Sequence, residues 1–198
     1  MTWRIRLVAN SDFNRMTWKN GLGTSWEIAR GDRPSGVASW RLSIAEIGAD
    51  APFSIFPNIE RHLTVIEGNG IVLTSPLAGE TTLCRFQSLR FAGEDPIRAH
   101  AISGPTRDLN LMVDRRDWEF TTSLERAAGH FSADVQAMAF IAVCLDGEAS
   151  LADGEVFPVG SALIAERDDI CDEPLPAVDT RDGAIVFRAS IRPHAAVS

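Results

Sequence analysis

The stretch MTWKNGLGTSWEIAR, residues 16–30, holds the only lysine of the chain, Lys19, against eighteen arginines. Beside it stand Asn20, Thr24, Ser25 and Glu27, with Gly21 and Gly23 leaving backbone amides open to approach. An ammonium donates three hydrogen bonds, an amide side chain donates and accepts, and exposed backbone N–H groups can hold an anion. The set suits a small carboxylate. Asn20-Gly21 is also a strong hairpin-turn dipeptide, and a turn and a binding site are compatible in one place. Trp18 and Trp26 flank the stretch, as aromatic pocket walls or as core.

A second set lies in RDLNLM, residues 107–112, where Asp108, Asn110 and Met112 alternate with Leu109, Leu111 and Val113. One strand face therefore carries Asp, Asn and Met, and the other is aliphatic. If the polar face looks inward, each unpaired group costs ~1–3 kcal/mol, so both need partners or a ligand. If it looks outward, the aliphatic face fills the core. Arg61 and Arg115 can grip a carboxylate, or pair with neighbouring Glu60 or Asp114. The candidate ligand-binding residues are thus Lys19, Asn20, Gly21, Glu27, Arg61, Asp108, Asn110 and Met112.

Other chemistries lack their residues. There is no G-x-S-x-G elbow, phosphate-binding loop or dinucleotide fingerprint, so no catalytic residue is assigned. A net charge of −8 with no basic run argues against nucleic acid. No stretch approaches 18 consecutive apolar residues, which argues against a membrane span, and MTWRIRLVAN does not read as a signal peptide. Cys84, Cys144 and Cys171 are widely spaced and odd in number, which fits buried thiols in a reducing, cytoplasmic compartment.

These residues need strands to position them. Short apolar or alternating runs separated by Gly, Pro, Asn and Asp recur at 39–47, 62–68, 70–75, 97–103, 109–113, 139–147 and 184–191. In 39–47, Trp40, Leu42 and Ile44 alternate with Ser39, Arg41 and Ser43, the pattern of a half-buried strand. Helical periodicity is scarce, since 123–131 is too short to count, and the pattern predicts an all-β sandwich or barrel. With 198 residues, 45% of them hydrophobic, one domain or two packed halves can be buried.

A faint repeat supports two halves. TVIEGNGIVL (64–73) and AVCLDGEASL (142–151) both run from an apolar pair through an acid-Gly step into a strand, and Glu67 and Asp146 are 79 residues apart. Both carboxylates read as turn-stabilising groups before Gly68 and Gly147. FQSLRFAGED (86–95) and FPVGSALIAERDD (157–169) supply a second shared cue. These paired hairpin motifs resemble the two sequence motifs of the cupin β-barrel, present twice. WKNG-x-G-x-x-x-EIA, FS-x-FP-x-I-x-R (53–61) and D-x-N-x-M (108–112) together resemble the HutD/Ves family of bicupin proteins, over nearly the whole chain.

The resemblance implies one bicupin unit over 1–198, with a first barrel over 1–115 and a second over 139–192 completed by N-terminal or linker strands. It favours the inward reading of Asp108 and Asn110. It also implies a link to bacterial histidine utilisation and a non-enzymatic protein that senses or buffers a carboxylate metabolite, urocanate or formylglutamate. A cupin enzyme acting on a small carboxylate is the alternative, and a homodimer is a candidate assembly. Metal-binding cupins use two or three histidines and a glutamate. Here His62, His100, His130 and His194 form no HxH pair, so no metal or other cofactor is expected. Lys19→Arg is expected to weaken carboxylate binding and Lys19→Met to weaken it further, by ~1.5–3 kcal/mol, in a calorimetric titration.

Overall fold

The computed structural model describes residues 3–18, 23–32, 38–48, 50–151, 153–170 and 174–194. Lys19, Asn20, Gly21 and Cys171 lie outside them. The strands are β1 (Arg4–Val8), β2 (Asn14–Thr17), β3 (Gly23–Asp32), β4 (Ala38–Ile47), β5 (Ala51–Pro52), β6 (Ile59–Glu67), β7 (Ile71–Ser75), β8 (Gly79–Leu83), β9 (Ser88–Ala92), β10 (Arg98–Ala101) and β11 (Thr106–Asp114). They continue with β12 (Trp118–Glu125), β13 (Gly129–Ser132), β14 (Ala139–Asp146), β15 (Ala149–Leu151), β16 (Val156–Phe157), β17 (Ala162–Glu166), β18 (Ala177–Thr180) and β19 (Ile185–Pro193). Among the described residues the helical content is one 3-10 turn, Asn10–Asp12. The chain is all-β.

It divides into two compact units, Phe13–Arg116 and Met1–Asp12 with Asp117–Ser198. In the Phe13–Arg116 unit a six-stranded sheet ordered β2-β3-β4-β11-β6-β9 accompanies a four-stranded sheet ordered β5-β10-β7-β8. The other unit has a five-stranded sheet, β1-β17-β14-β19-β12, and a four-stranded sheet, β13-β18-β15-β16. The sheets of each unit stay separate rather than closing into one barrel, in a cupin-like arrangement. Beside 139–192, the second of these units takes in β1 and the strands of 117–138. β1 pairs with β17, from Arg4 opposite Glu166 to Val8 opposite Ala162, and so covers an edge that would otherwise expose unpaired N–H and C=O groups. Within 117–138, β12 pairs with β19 and β13 with β18.

Each unit has its own apolar core. Leu63, Val65 and Phe91 of the six-stranded sheet pack with Ile71, Leu73, Leu83 and Ala99 of its partner sheet. In the other unit Phe140, Ala142 and Cys144 on β14 pack with Phe157, Leu163, Val178 and Val186. Cys144 is the buried small hydrophobe expected of it, whereas Cys84 is exposed.

The repeat is matched in strand register. On β6 and β11, Arg61 faces Met112, Leu63 faces Asn110 and Val65 faces Asp108, with a register shift at Arg107/Asp108. On β14 and β19, Phe140 faces Ser190, Ala142 faces Arg188 and Cys144 faces Val186, with a shift at Cys144/Asp146. With an offset of 79 residues between β6 and β14 and of 78 between β11 and β19, Phe140 stands where the first unit has Arg61, and Arg188 where it has Asn110.

The acid-Gly hairpins recur as well. Gly68 (φ 91°) and Gly147 (φ 71°) are both left-handed, and the Gly147 amide donates to Asp146 Oδ1 at 2.9 Å. A Cβ on Gly68 would lie 2.7 Å from the Pro105 carbonyl, and one on Gly147 2.7 Å from Ala184 Cα. Backbone on both sides leaves no room, and the left-handed conformation adds its own cost of about 1–2 kcal/mol. Gly68→Ala and Gly147→Ala are each expected to lower unfolding free energy by at least ~1 kcal/mol, read from urea denaturation midpoints.

Candidate functional site

In a strand, alternate side chains share a face, and antiparallel register carries that face across the sheet. Met112 faces Arg41 on β4 and Arg61 on β6, and Asn110 faces Ser43 and Leu63. Asp108 faces Ala45 and Val65 on the same strands. On β3, Ser25 lies opposite Ala45 and Glu27 opposite Ser43, before a register shift between Glu27 and Ala29. One face of the six-stranded sheet thus gathers Arg41, Ser43, Arg61, Asp108, Asn110 and Met112. The opposite face carries Leu42, Leu109, Leu111 and Val113, all buried. Both faces of β11 are therefore covered, so the choice between a polar and an aliphatic inward face does not arise.

The gathered face forms much of the wall of a cavity of about 540 Å³, within the range typical of small-molecule sites. Arg41, Arg61, Asn110 and Met112 line it, with the hydroxyls of Thr17, Ser25, Ser43 and Ser54. Met16, Trp18, Phe53 and Phe56 supply apolar wall. Trp18 donates from Nε1 to Ser25 Oγ at 2.7 Å, while its backbone N–H donates to Gly23 O at 3.0 Å. β2 and β3 pair antiparallel, with Thr17 opposite Thr24, on either side of residues 19–22.

Phe53 and Phe56 come from the turn-rich stretch before β6. The Phe53 amide donates to Ile97 O at 2.9 Å and the Phe56 amide to Gly93 O at 2.8 Å. Asn58, left-handed at φ 64°, donates its amide to Glu94 Oε1 at 2.6 Å. Arg115 holds that same carboxylate through two bonds of 2.9 and 2.7 Å. Arg115 therefore clamps the loop that carries the aromatic wall and does not face the cavity, and its partner is Glu94 more than Glu60 or Asp114.

Arg61 is only 6% exposed. Its guanidinium carbon lies 4.7 Å from the Phe53 ring centre and 4.9 Å from that of Phe91. Its Nε donates to Asn110 Oδ1 at 3.3 Å, and Asn110 Nδ2 donates to Asp108 Oδ2 at 2.9 Å. Among the described residues no carboxylate pairs directly with Arg61. Burial lowers its pKa to about 10, an effect that Asp108 opposes and Arg41 reinforces, so it stays charged at neutral pH. Asp108 is fully buried, and burial raises its pKa to about 6 against the pull of Asn110 and Arg61. Among the described residues its Oδ1 has no hydrogen-bond partner.

Arg41 Nε lies 2.9 Å from Glu27 Oε2. The contact is an ion pair by distance but falls outside hydrogen-bond geometry, so among the described residues this buried donor has no hydrogen bond. Glu27 is thus beside the site, holding Arg41, rather than in the cavity wall. Trp26 lies away from the cavity, with Arg107 over its ring at 5.0 Å.

Arg41, Ser43, Met16, Phe53 and Phe56 complete the site without having been singled out from sequence. The usable signal was the alternation in 39–47. Arg41 and Ser43 read there as the solvent face, but they face a polar cavity.

The described lining includes no imidazole, thiolate or carboxylate. Among the described residues no three His, Cys, Asp or Glu side chains gather as a metal-holding group. His62, opposite Leu111 on β11, points to the other face. Burial, with Arg90, depresses its pKa to about 4. Guanidiniums and hydroxyls suit an anion, so this wall does not fit the metal of metal-binding cupins.

The corresponding place in the other unit is occupied by protein. Phe140 is fully buried where Arg61 would stand. Arg188 donates to Glu125 Oε1 from Nε and Nη2 at 3.0 and 2.6 Å, and to Ser132 O from Nη1 at 3.0 Å. A smaller hollow of about 240 Å³ beside Arg188 is lined by Thr121, Thr122, Ser123, Ala189 and Ser190.

Two cupin-like units, with an anion-suited cavity in the Phe13–Arg116 unit, define the class as bicupin. The HutD family profile matches residues 10–179, and the chain belongs to the HutD family. HutD from Pseudomonas fluorescens SBW25 shares 27% identity at a TM-score of 0.84, over 97% of this chain and 100% of that one. A Pseudomonas putida protein described as an uncharacterized 21.2 kDa protein in the hutC 3′ region is 30% identical over 159 residues, covering 79% of this chain and 83% of its own. Protein Ves of Citrobacter koseri is 39% identical over 101 residues, 50% of this chain and 52% of Ves.

Proposed function

We propose that the cavity binds a small carboxylate metabolite of histidine breakdown, urocanate or formylglutamate, and that the protein senses or buffers it without turning it over. The observation that carries this reading is Arg61, a charged and nearly buried guanidinium on a cavity wall whose one hydrogen bond among the described residues goes to a neutral amide. A buried cation without a paired anion is costly, and a ligand carboxylate supplies the missing charge in a form a planar fork can hold. Arg41 and the four hydroxyls provide further donors, while Trp18, Phe53 and Phe56 suit a flat or aliphatic body. The link to histidine utilisation is supported by family membership and by the P. putida relative described from the hutC 3′ region.

A thermal-shift screen of the purified protein against histidine-pathway intermediates tests this, because a ligand that binds the native state raises its apparent stability. Urocanate or formylglutamate should raise the midpoint in a saturable way, and histidine should do so less. No shift with any carboxylate would overturn the reading. Consumption of the bound compound, followed by its absorbance or by chromatography, would favour the cupin-enzyme alternative.

A further inference from the structure

Resting on the carboxylate reading of this cavity, we propose that Asp108 is a further positioning residue. Through Asn110 it fixes how Arg61 is presented, and it takes up a proton when an anion settles on that guanidinium.

Hydrogen-bond chemistry fixes the Asn110 amide. Arg61 can only donate and an ionised Asp108 can only accept, so Asn110 must turn Oδ1 toward Arg61 Nε and Nδ2 toward Asp108 Oδ2. This occupies one edge of the guanidinium and leaves its terminal nitrogens for a ligand. Asp108 itself stands behind the wall. Ala45 opposite it and Asn110 two residues along both line the cavity, while Asp108 has no exposed surface.

The proton follows from charge. Asp108 shares its face with Arg61 on β6, Arg41 on β4 and Glu27 on β3. Glu27 is held by Arg41, and among the described residues Arg61 is the ionised group that acts on Asp108. A ligand carboxylate at Arg61 takes over the role of counter-ion and repels Asp108 across the Asn110 bridge. Oδ1, buried and without a partner, is where a proton can sit while Oδ2 continues to accept from Asn110. Its pKa, already raised to about 6 by burial, would rise further on binding.

The sign is then fixed. A group that gains a proton on binding makes affinity highest below its free-state pKa and weaker as pH rises through it. Affinity should fall by up to tenfold per pH unit above about pH 6, and level off once Asp108 is ionised in the bound state too.

The probe is N-formylglutamate, whose carboxylates stay ionised between pH 5.5 and 8. Urocanate is unsuitable because its imidazole titrates there. Titration calorimetry of the full chain at pH 5.5, 6.5, 7.5 and 8, in two buffers of different ionisation enthalpy, measures affinity and proton uptake together. Wild type should bind more weakly as pH rises and take up a fraction of a proton near pH 7. Asp108→Asn should bind with little pH dependence and no uptake. Wild-type binding without proton uptake overturns the proposal whether or not the variant folds. Uptake that persists in Asp108→Asn assigns the proton elsewhere and overturns it equally. If N-formylglutamate, urocanate and formate all fail to bind wild type at any pH, the carboxylate reading itself falls.

Discussion

Arg61→Met is expected to abolish measurable carboxylate binding while leaving the free protein about as stable as wild type. Removing one partner of a buried, charge-assisted pair typically costs 2–5 kcal/mol, or roughly thirty-fold to several-thousand-fold in affinity. The free protein responds differently. Arg61 is desolvated, with its pKa pulled down to about 10 by burial, and its compensation is the rings of Phe53 and Phe91, one 3.3 Å hydrogen bond and the charge of Asp108 beyond Asn110. Methionine fills similar volume without a charge to desolvate, and replacing a buried charge by an apolar side chain is often neutral or stabilising. Asp108, deprived of Arg61, can protonate. Unfolding free energy should therefore fall by no more than about 1 kcal/mol in urea denaturation. A structural arginine would give the reverse pattern, lost stability with binding unchanged.

The second large effect lies in the repeat partner. Phe140→Ala should lower unfolding free energy by about 3–5 kcal/mol, the usual cost of emptying a fully buried aromatic site. Phe140 occupies the register position of Arg61 and packs with Ala142, Cys144, Phe157 and Leu163. Urea denaturation at 25 °C checks it, and a loss below about 1 kcal/mol would contradict the assignment of this position to core. The pair shows how one strand scaffold serves two ends. Where the first unit keeps a cation with no directly paired carboxylate among the described residues, the second has a phenylalanine and an arginine already held by Glu125.

The β architecture was legible because turn residues and period-2 runs mark strands locally, and the acid-Gly hairpins at Glu67 and Asp146 carry the same left-handed glycine in both units. Which sheet edge the completing strands take was not. β1 pairs with β17, about 160 residues away, and nothing in RIRLV states which sheet edge it will cover. In the site, Asn110 and Met112 were visible as one strand face, and Arg61 as a candidate for gripping a carboxylate. For Asp108 the residues left both faces open and only the family resemblance favoured the inward one, and nothing marked it as standing behind the wall. Arg41 and Ser43 were misplaced because alternation alone equates polar with solvent, whereas a polar cavity reverses that equation. The aromatic wall depends on Asn58 and Arg115 both meeting Glu94, a contact set by the tertiary fold. Lys19, Asn20 and Gly21 lie outside the described residues, so their part in the site rests on the sequence pattern and on the Lys19 substitutions.

The most direct test compares an acid with its neutral isostere. Calorimetric titration of wild type with urocanate and with its carboxamide holds ring, length and shape constant and changes the charge that Arg61 is proposed to meet. Urocanate should bind with one site per chain, and the carboxamide at least about thirty-fold more weakly, the loss expected for a charge-assisted pair. Equal affinities, or two equivalent sites per chain, would contradict a single anion-binding cavity built around Arg61.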